Sequence, residues 1–278
     1  DNRYELTKHK TFQIFSSERG GGLVKDMVME DLDLAWEKCI DNLECRKSID
    51  TNFLKTIIIV DTKKEFQSLT NLVGAGACTV PGRDTIVINL ESYLEEGDIE
   101  MINVGQILYG ILPHELTHLI LDQLCHSSIA VGFNEGLAEY SEGRYGSVTF
   151  FPGDRQPGVG DAYDSYTILT KKSHPIRVAF TGRVPHNLYV ESKSLIEFLV
   201  NELGSQAAVL QFYQELSKSK NPSSILQDYG FNNFSDLDKK WYAWARSRWI
   251  SLRSRDHNSP ASKLEDSPTI TIIKNKNP

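Results

Sequence analysis

Hydrophobic and polar positions follow two different periods along the chain, and the switches between them outline its elements. Residues 11–17 (TFQIFSS) read as a strand, closed by the glycine run at 20–22. The next segment, LVKDMVMEDLDLAWEKCIDNL, sets Leu23, Met27, Met29, Leu32, Leu34 and Ala35 at helical spacing and predicts an amphipathic helix. The β-branched run KTIIIVDT (55–62) predicts a second strand. KKEFQSLTNLV predicts a short helix ended by GAGA, and the alternating DTIVINLE (84–91) predicts a third strand after the turn signal Pro81-Gly82. This opening order points to an α+β domain with a small mixed sheet.

From about 101 to 143 the pattern turns helical, with a break near 127–133. Residues 146–187 are rich in Gly and Pro (FPGDRQPGVGD, FTGRVPHN) and predict a long irregular segment. YVESKSLIEFLVNELG, QAAVLQFYQELSK and FSDLDKKWYAWARSRWISL then predict three helices, the first ended by Gly204. The chain thus divides into a mixed α/β region (1–145), an irregular segment (146–187), a helical subdomain (188–252) and a polar tail (253–278) in which TITII reads as a last strand.

Composition narrows the classes. The chain has 278 residues, 40% hydrophobic and 24% charged, enough for a sizeable core. Thirty basic against 37 acidic residues give a net charge of −7 with no basic stripe, which argues against nucleic acid and anionic membranes as partners. No apolar run approaches the roughly 18–20 residues that span a bilayer. The sequence opens DNRYEL without a methionine, which leaves a removed signal peptide, a removed pro-segment and cloning excess open as its cause, and the expectation is export to the periplasm, cell surface or medium. Oligomeric state has no sequence signal. Cys39, Cys45, Cys78 and Cys125 are too few and too scattered for a disulfide framework or a Cys-rich zinc site. In one unbroken helix Cys39 and Cys45 would stand about 9 Å apart along the axis, beyond disulfide reach. The two could pair only if the helix ends between them, and most of the four cysteines are expected to be reduced and packed, with Cys125 buried.

One apolar stretch carries chemistry. In GILPHELTHLIL (110–121), His114 and His118 fall on one helix face about 6 Å apart along the axis, so each can offer a nitrogen to a single Zn2+. Glu115 is rotated about 100° from His114 and can flank the ion without binding it, the place for a general base. The plain alternative is a pair of packed histidines. A catalytic zinc needs a third protein ligand. Leu121 and Leu124 stand where a metzincin needs Gly and His, His126 is about 12 Å along the axis from His118, and Asp122 suits a supporting role better than ligation. The better candidate is Glu135 in GFNEGLAEYSEG, behind Asn134 as N-cap, with a 127–133 connector that spans up to about 23 Å. Gly136 would permit close approach to the zinc helix. Glu139, four residues on, could accept the N–H of a ligand histidine. Pro113, directly before His114, is expected to kink or begin the helix.

With both motifs in view the sequence resembles a gluzincin, the clan of thermolysin and the neutral-zinc aminopeptidases. More closely it resembles the peptidase MA-like family, in which HELTH is followed by NEGLAEY. The likeness covers roughly 11–250 and includes TIIIVDTKKEF, VPGRDTIVINL and YVESKSLIEFLVNELG. It implies that His114, His118 and Glu135 bind zinc, that Glu115 is the base, and that Glu139 supports a ligand histidine. It further implies that Tyr189 of LYVES stands where the family carries a tyrosine whose hydroxyl meets the oxyanion. The aminopeptidases' Gly-x-Met-Glu-Asn segment is missing, since GAGACTVPG offers no acid to hold a substrate's free amine.

The expected activity is therefore zinc-dependent hydrolysis of peptide bonds in peptide or protein substrates, endopeptidase rather than aminopeptidase. DTIVINLE is expected to be the sheet edge that pairs with substrate, and 146–187, with Tyr163, Tyr166, His174 and His186, to line the cleft. The alternative is a non-catalytic or latent zinc-stabilised binding module on the same fold. Glu115 argues against it, because ligation alone needs no glutamate there.

Overall fold

The computed structural model describes residues 4–17, 21–95, 98–102, 107–125, 131–149, 188–219 and 221–256. The expectations for His126, for Tyr163, Tyr166, His174 and His186, and for the TITII strand lie outside the described residues. Five strands form one mixed sheet: β1 (Tyr4–His9), β2 (Phe12–Ser17), β3 (Lys55–Val60), β4 (Ala77–Val80) and β5 (Thr85–Asn89), in the order β1-β2-β3-β5-β4. The architecture is α+β, as the opening pattern predicted. β1 and β2 make an antiparallel hairpin, while β2, β3 and β5 run parallel. Parallel neighbours require a crossover, and α1 (Gly21–Asn42) supplies it between β2 and β3.

The β3 sequence KTIIIV explains why the sheet is covered on both faces. Ile57 and Ile59 point to one side, against Ile14, Ile86 and Ile88, and there α1 lays down Val24, Val28, Leu32, Ala35 and Ile40. Ile58 and Val60 point to the other, where Phe66 of α2 (Lys63–Thr70) and Val87 meet them. Each such side chain removed from water contributes about 1.5–3 kcal/mol. The face that α1 buries is rotated from the predicted one. Met27 and Leu34 are 40% and 50% exposed, because the sheet accepts the stripe beginning at Val24.

Two strands of this sheet escaped prediction, and one expectation is corrected by them. YELTKH and ACTV carry no β-branched run, yet as β1 and β4 they close the two edges. β4 pairs antiparallel with β5, Val80 opposite Thr85, so DTIVINLE is flanked on both sides and is not a free edge. The edge on that side is β4.

Leu90–Tyr93 forms a 3-10 turn, followed by the small hairpin of β6 (Leu94–Glu95) and β7 (Asp98–Ile102), where helical pattern had been expected from 101. A π-helical turn, Ile107–Ile111, leads into α3 (Leu112–Cys125) and then α4 (Val131–Thr149). Then come α5 (Leu188–Leu203), α6 (Gln206–Lys218), the unpredicted short α7 (Pro222–Asp228) and α8 (Phe234–Asp256), which runs past the expected boundary at 252. Gly204, at φ 86°, ends α5 as predicted.

The helices share the sheet's core. Leu112, Leu116, Leu119 and Ile120 of α3 belong to the same buried cluster as α1. Phe133 of α4 stacks on Tyr213 of α6 at 4.3 Å between ring centroids. Trp241 of α8 donates its indole N–H to Ser194 of α5 at 3.2 Å. Gly136 does permit a close approach, but to α5 rather than to α3: a Cβ there would fall 2.7 Å from the Ser192 carbonyl oxygen. α1 ends at Asn42, before Cys45, and the four cysteines are free, with Cys39, Cys45 and Cys125 buried. No described helix is long and apolar enough to cross a membrane.

Candidate metal centre

α3 is apolar on the side that meets the core and carries His114 and His118 on its other flank. Pro113, second residue of the helix, has no N–H to give, and the hydrogen-bond pattern changes there from π to α. The Pro113 carbonyl is not wasted. It accepts the Thr117 hydroxyl at 2.8 Å and the Cys39 thiol at 3.5 Å, tying α3 to α1. The two imidazoles stand edge to face with centroids 4.8 Å apart, and each side chain is 11% exposed.

α4 brings the carboxylate. Glu135 Oε2 lies 3.3 Å from His114 Nε2 and 3.5 Å from His118 Nε2. Helix α4 begins at Val131, so Asn134 sits within its first turn rather than at the N-cap, and Glu135 follows inside the helix. Asn134 Oδ1 and His118 Nδ1 are both buried without a hydrogen-bond partner. On its far side, His114 Nδ1 faces Glu142 Oε2 at 3.3 Å and Glu139 Oε1 at 3.9 Å.

Charges in this cluster are strongly coupled. Burial opposes a proton on His114, but the Glu135 and Glu142 carboxylates outweigh it and raise its pKa well above the ordinary imidazole value. Burial would raise the Glu135 carboxyl, yet the two histidines hold it well below the usual carboxylate range. Burial, then the neighbouring Glu142, raises Glu139.

Glu115, Tyr189 and Asp122 open onto the same cavity as His114, His118 and Glu135, a cleft of about 870 Å³ walled on one side by residues 72–79. The Thr79 hydroxyl of β4 stands 2.8 Å from Glu115 Oε2 and 2.9 Å from the Glu115 carbonyl, where it donates to one or the other. Asp122 accepts the Gly82 N–H at 2.7 Å, holding the β4–β5 turn rather than pointing at the histidines. Burial raises the Tyr189 phenol, and Glu135 and Glu139 raise it further, so it stays a donor across the neutral range.

The donor set suits zinc. The atoms of His114, His118 and Glu135 lie within 4.8 Å of one another, all borne by rigid helices. A tetrahedral ion with bonds of 2.0–2.1 Å separates its ligands by roughly 3.3 Å, the spacing Glu135 keeps from both imidazoles. Two nitrogen lone pairs and a carboxylate converging in a largely buried place repel one another unless a cation or protons lie between them. A neutral His118 ligating through Nε2 carries its proton on Nδ1, the atom found unpartnered.

The structure thus brings six residues singled out in the sequence, His114, Glu115, His118, Glu135, Glu139 and Tyr189, to one cleft. Sequence reasoning missed Thr79 and Glu142. Thr79 gave no signal, because ACTV shows no alternation. Glu142 lies seven residues, two helical turns, beyond Glu135 and so on the same face, a periodicity that was followed only to Glu139.

A mixed sheet packed on a His-Glu-x-x-His helix, with a glutamate from the next helix beside the histidines, defines a gluzincin-type fold and site. Residues 85–247 match the family model of the Peptidase MA superfamily, more than half of the chain, and the protein belongs to that superfamily. A comparison with curated proteins returns no match.

Proposed function

We propose that the protein is a zinc-dependent peptidase, an endopeptidase rather than an aminopeptidase, with His114, His118 and Glu135 as ligands. One observation carries this reading: three donor atoms of the right kinds converge from two helices in a cleft that also holds Glu115. Zinc bound there supplies Lewis acidity, polarising a scissile carbonyl and making water easier to deprotonate. Glu115, aimed by Thr79, takes the proton of the attacking water and passes it to the leaving amine. Tyr189, kept protonated by burial and by the surrounding carboxylates, donates to the oxygen that gains charge. Among the described residues β4 is the sheet edge beside the cleft, so an extended substrate pairs there rather than on β5. The wall at residues 72–79 carries no carboxylate to grip a terminal amine, which favours internal bonds.

The test is Glu115→Gln. Zinc stoichiometry should be unchanged while chelator-sensitive cleavage of a diverse peptide library falls by roughly 10²–10⁴-fold. Undiminished cleavage by the variant would remove Glu115 from the mechanism. Zinc bound without cleavage of any peptide by the wild type would favour a binding module.

A further inference from the structure

We propose that Glu142 is the residue that positions His114 for the metal, and that Gly110 is the gap through which its carboxylate reaches the imidazole. The inference rests on the zinc reading above. The helical repeat singles out Glu139 as the carboxylate for a ligand histidine, but the coordinates order the two differently. Glu142 Oε2 approaches His114 Nδ1 to 3.3 Å, within hydrogen-bonding range, whereas Glu139 Oε1 stops at 3.9 Å.

The surroundings of Glu142 are shaped for this contact. α4 passes α3 so that Glu135 faces His114 and His118, and Glu142, about 10.5 Å further along its axis, faces His114 and the π-turn. Gly110 of that turn lies beside the carboxylate. A Cβ there would stand 3.2 Å from Glu142 Oε1 and 3.9 Å from its Cδ, so a side chain at 110 would crowd the carboxylate and require it to shift by a few tenths of an ångström. Inserted π-turns are frequent at functional sites, and here the turn presents a residue without a side chain where the carboxylate must pass. An acceptor on Nδ1–H pins the tautomer that leaves the Nε2 lone pair for the ion, makes that nitrogen more basic, and locks the ring angle. Glu139 remains close enough to contribute charge without making the hydrogen bond.

The experiment reads metal binding and needs no substrate. Zinc affinity and stoichiometry are measured by competition with a chromophoric chelator, and Co(II) is substituted to record the visible ligand-field bands. Glu142→Ala should weaken zinc by about 10–100-fold and shift the Co(II) bands. Glu142→Gln, which keeps an acceptor oxygen, should recover part of the affinity. Glu139→Ala should stay within about threefold of wild type, and Gly110→Ala should fall between. The melting temperature of the metal-free proteins separates loss of fold from loss of site, and the Gln variant carries the test if the Ala variant unfolds. Equal or greater loss in Glu139→Ala, or none in Glu142→Ala, overturns the proposal. A second zinc per chain that disappears with either carboxylate also overturns it, making His114, Glu139 and Glu142 a cation site instead. His118→Ala is the control for the underlying reading. If that variant binds zinc as wild type does, the ligand assignment fails; if it does not and Glu142→Ala does, only the positioning role fails.

Discussion

Glu115 owes its aim to a hydroxyl on the facing strand. Thr79 reaches its carboxylate at 2.8 Å, across a sequence separation of 36 residues. Thr79→Val keeps the shape and removes the donor. A hydrogen bond to a charged group is worth about 1.5–3 kcal/mol, which at the transition state corresponds to roughly ten- to hundredfold in rate. Steady-state kinetics should therefore show kcat lowered by that factor with zinc affinity unchanged, and Thr79→Ser should restore most of it. A variant whose zinc affinity falls in step with its rate would show that Thr79 supports the fold of the site rather than the base.

Helices α4 and α5 meet where Gly136 faces Ser192, and that contact fixes where α4 presents Glu135. Elsewhere in a helix, replacing glycine with alanine gains up to about 1 kcal/mol. At 136 the new methyl would sit 2.7 Å from a backbone carbonyl oxygen, an atom that cannot rotate away. Overpacking of this kind costs about 1–3 kcal/mol. Urea unfolding of metal-free Gly136→Ala should thus show a net loss of stability. Gly22→Ala in α1, where a Cβ meets nothing within 4 Å, should be neutral or stabilising. A more stable Gly136→Ala would mean that the two helices separate without penalty.

Far from the cleft, Lys55 holds together parts of the chain that no local pattern connects. Its side chain is fully buried, with Nζ 4.8, 4.4 and 4.1 Å from the ring centroids of Phe12, Trp36 and Phe53, and it donates to the carbonyls of Phe53 and Thr51 at 2.9 and 3.3 Å. Burial depresses its pKa from 10.5 to about 8, against the pull of Asp50, Asp84 and Asp33. Between these two values the unfolded chain binds more protons at this group than the folded one, so stability rises with pH there. Denaturant unfolding from pH 7 to 10.5 should show the wild type gaining up to about 3 kcal/mol relative to Lys55→Met, with the difference growing above pH 8. A difference that stays constant with pH would mean that the rings and carbonyls hold the ammonium as well as water does.

The β-branched run KTIIIV, the alternation in DTIVINLE and the helical repeat around HELTH and NEGLAEY were enough to determine the α+β class, the central strands, the two site helices and five of the residues that meet in the cleft, His114, Glu115, His118, Glu135 and Glu139, while Tyr189 came from the family resemblance. Those properties are local: a period of two or 3.6 is written in neighbouring residues, and a ligand pair four apart shares a helix face wherever the helix lies. What the tertiary structure alone decided is what depends on residues far apart. Among the described residues β4 is the sheet edge because β5 is paired on both sides, Thr79 meets Glu115 because β4 lies beside α3, and Glu142 stands nearer His114 Nδ1 than Glu139 does, at 3.3 against 3.9 Å. Packing selects among contacts that the local periods leave equivalent, and it does so through distances of a few tenths of an ångström that no spacing along the chain encodes.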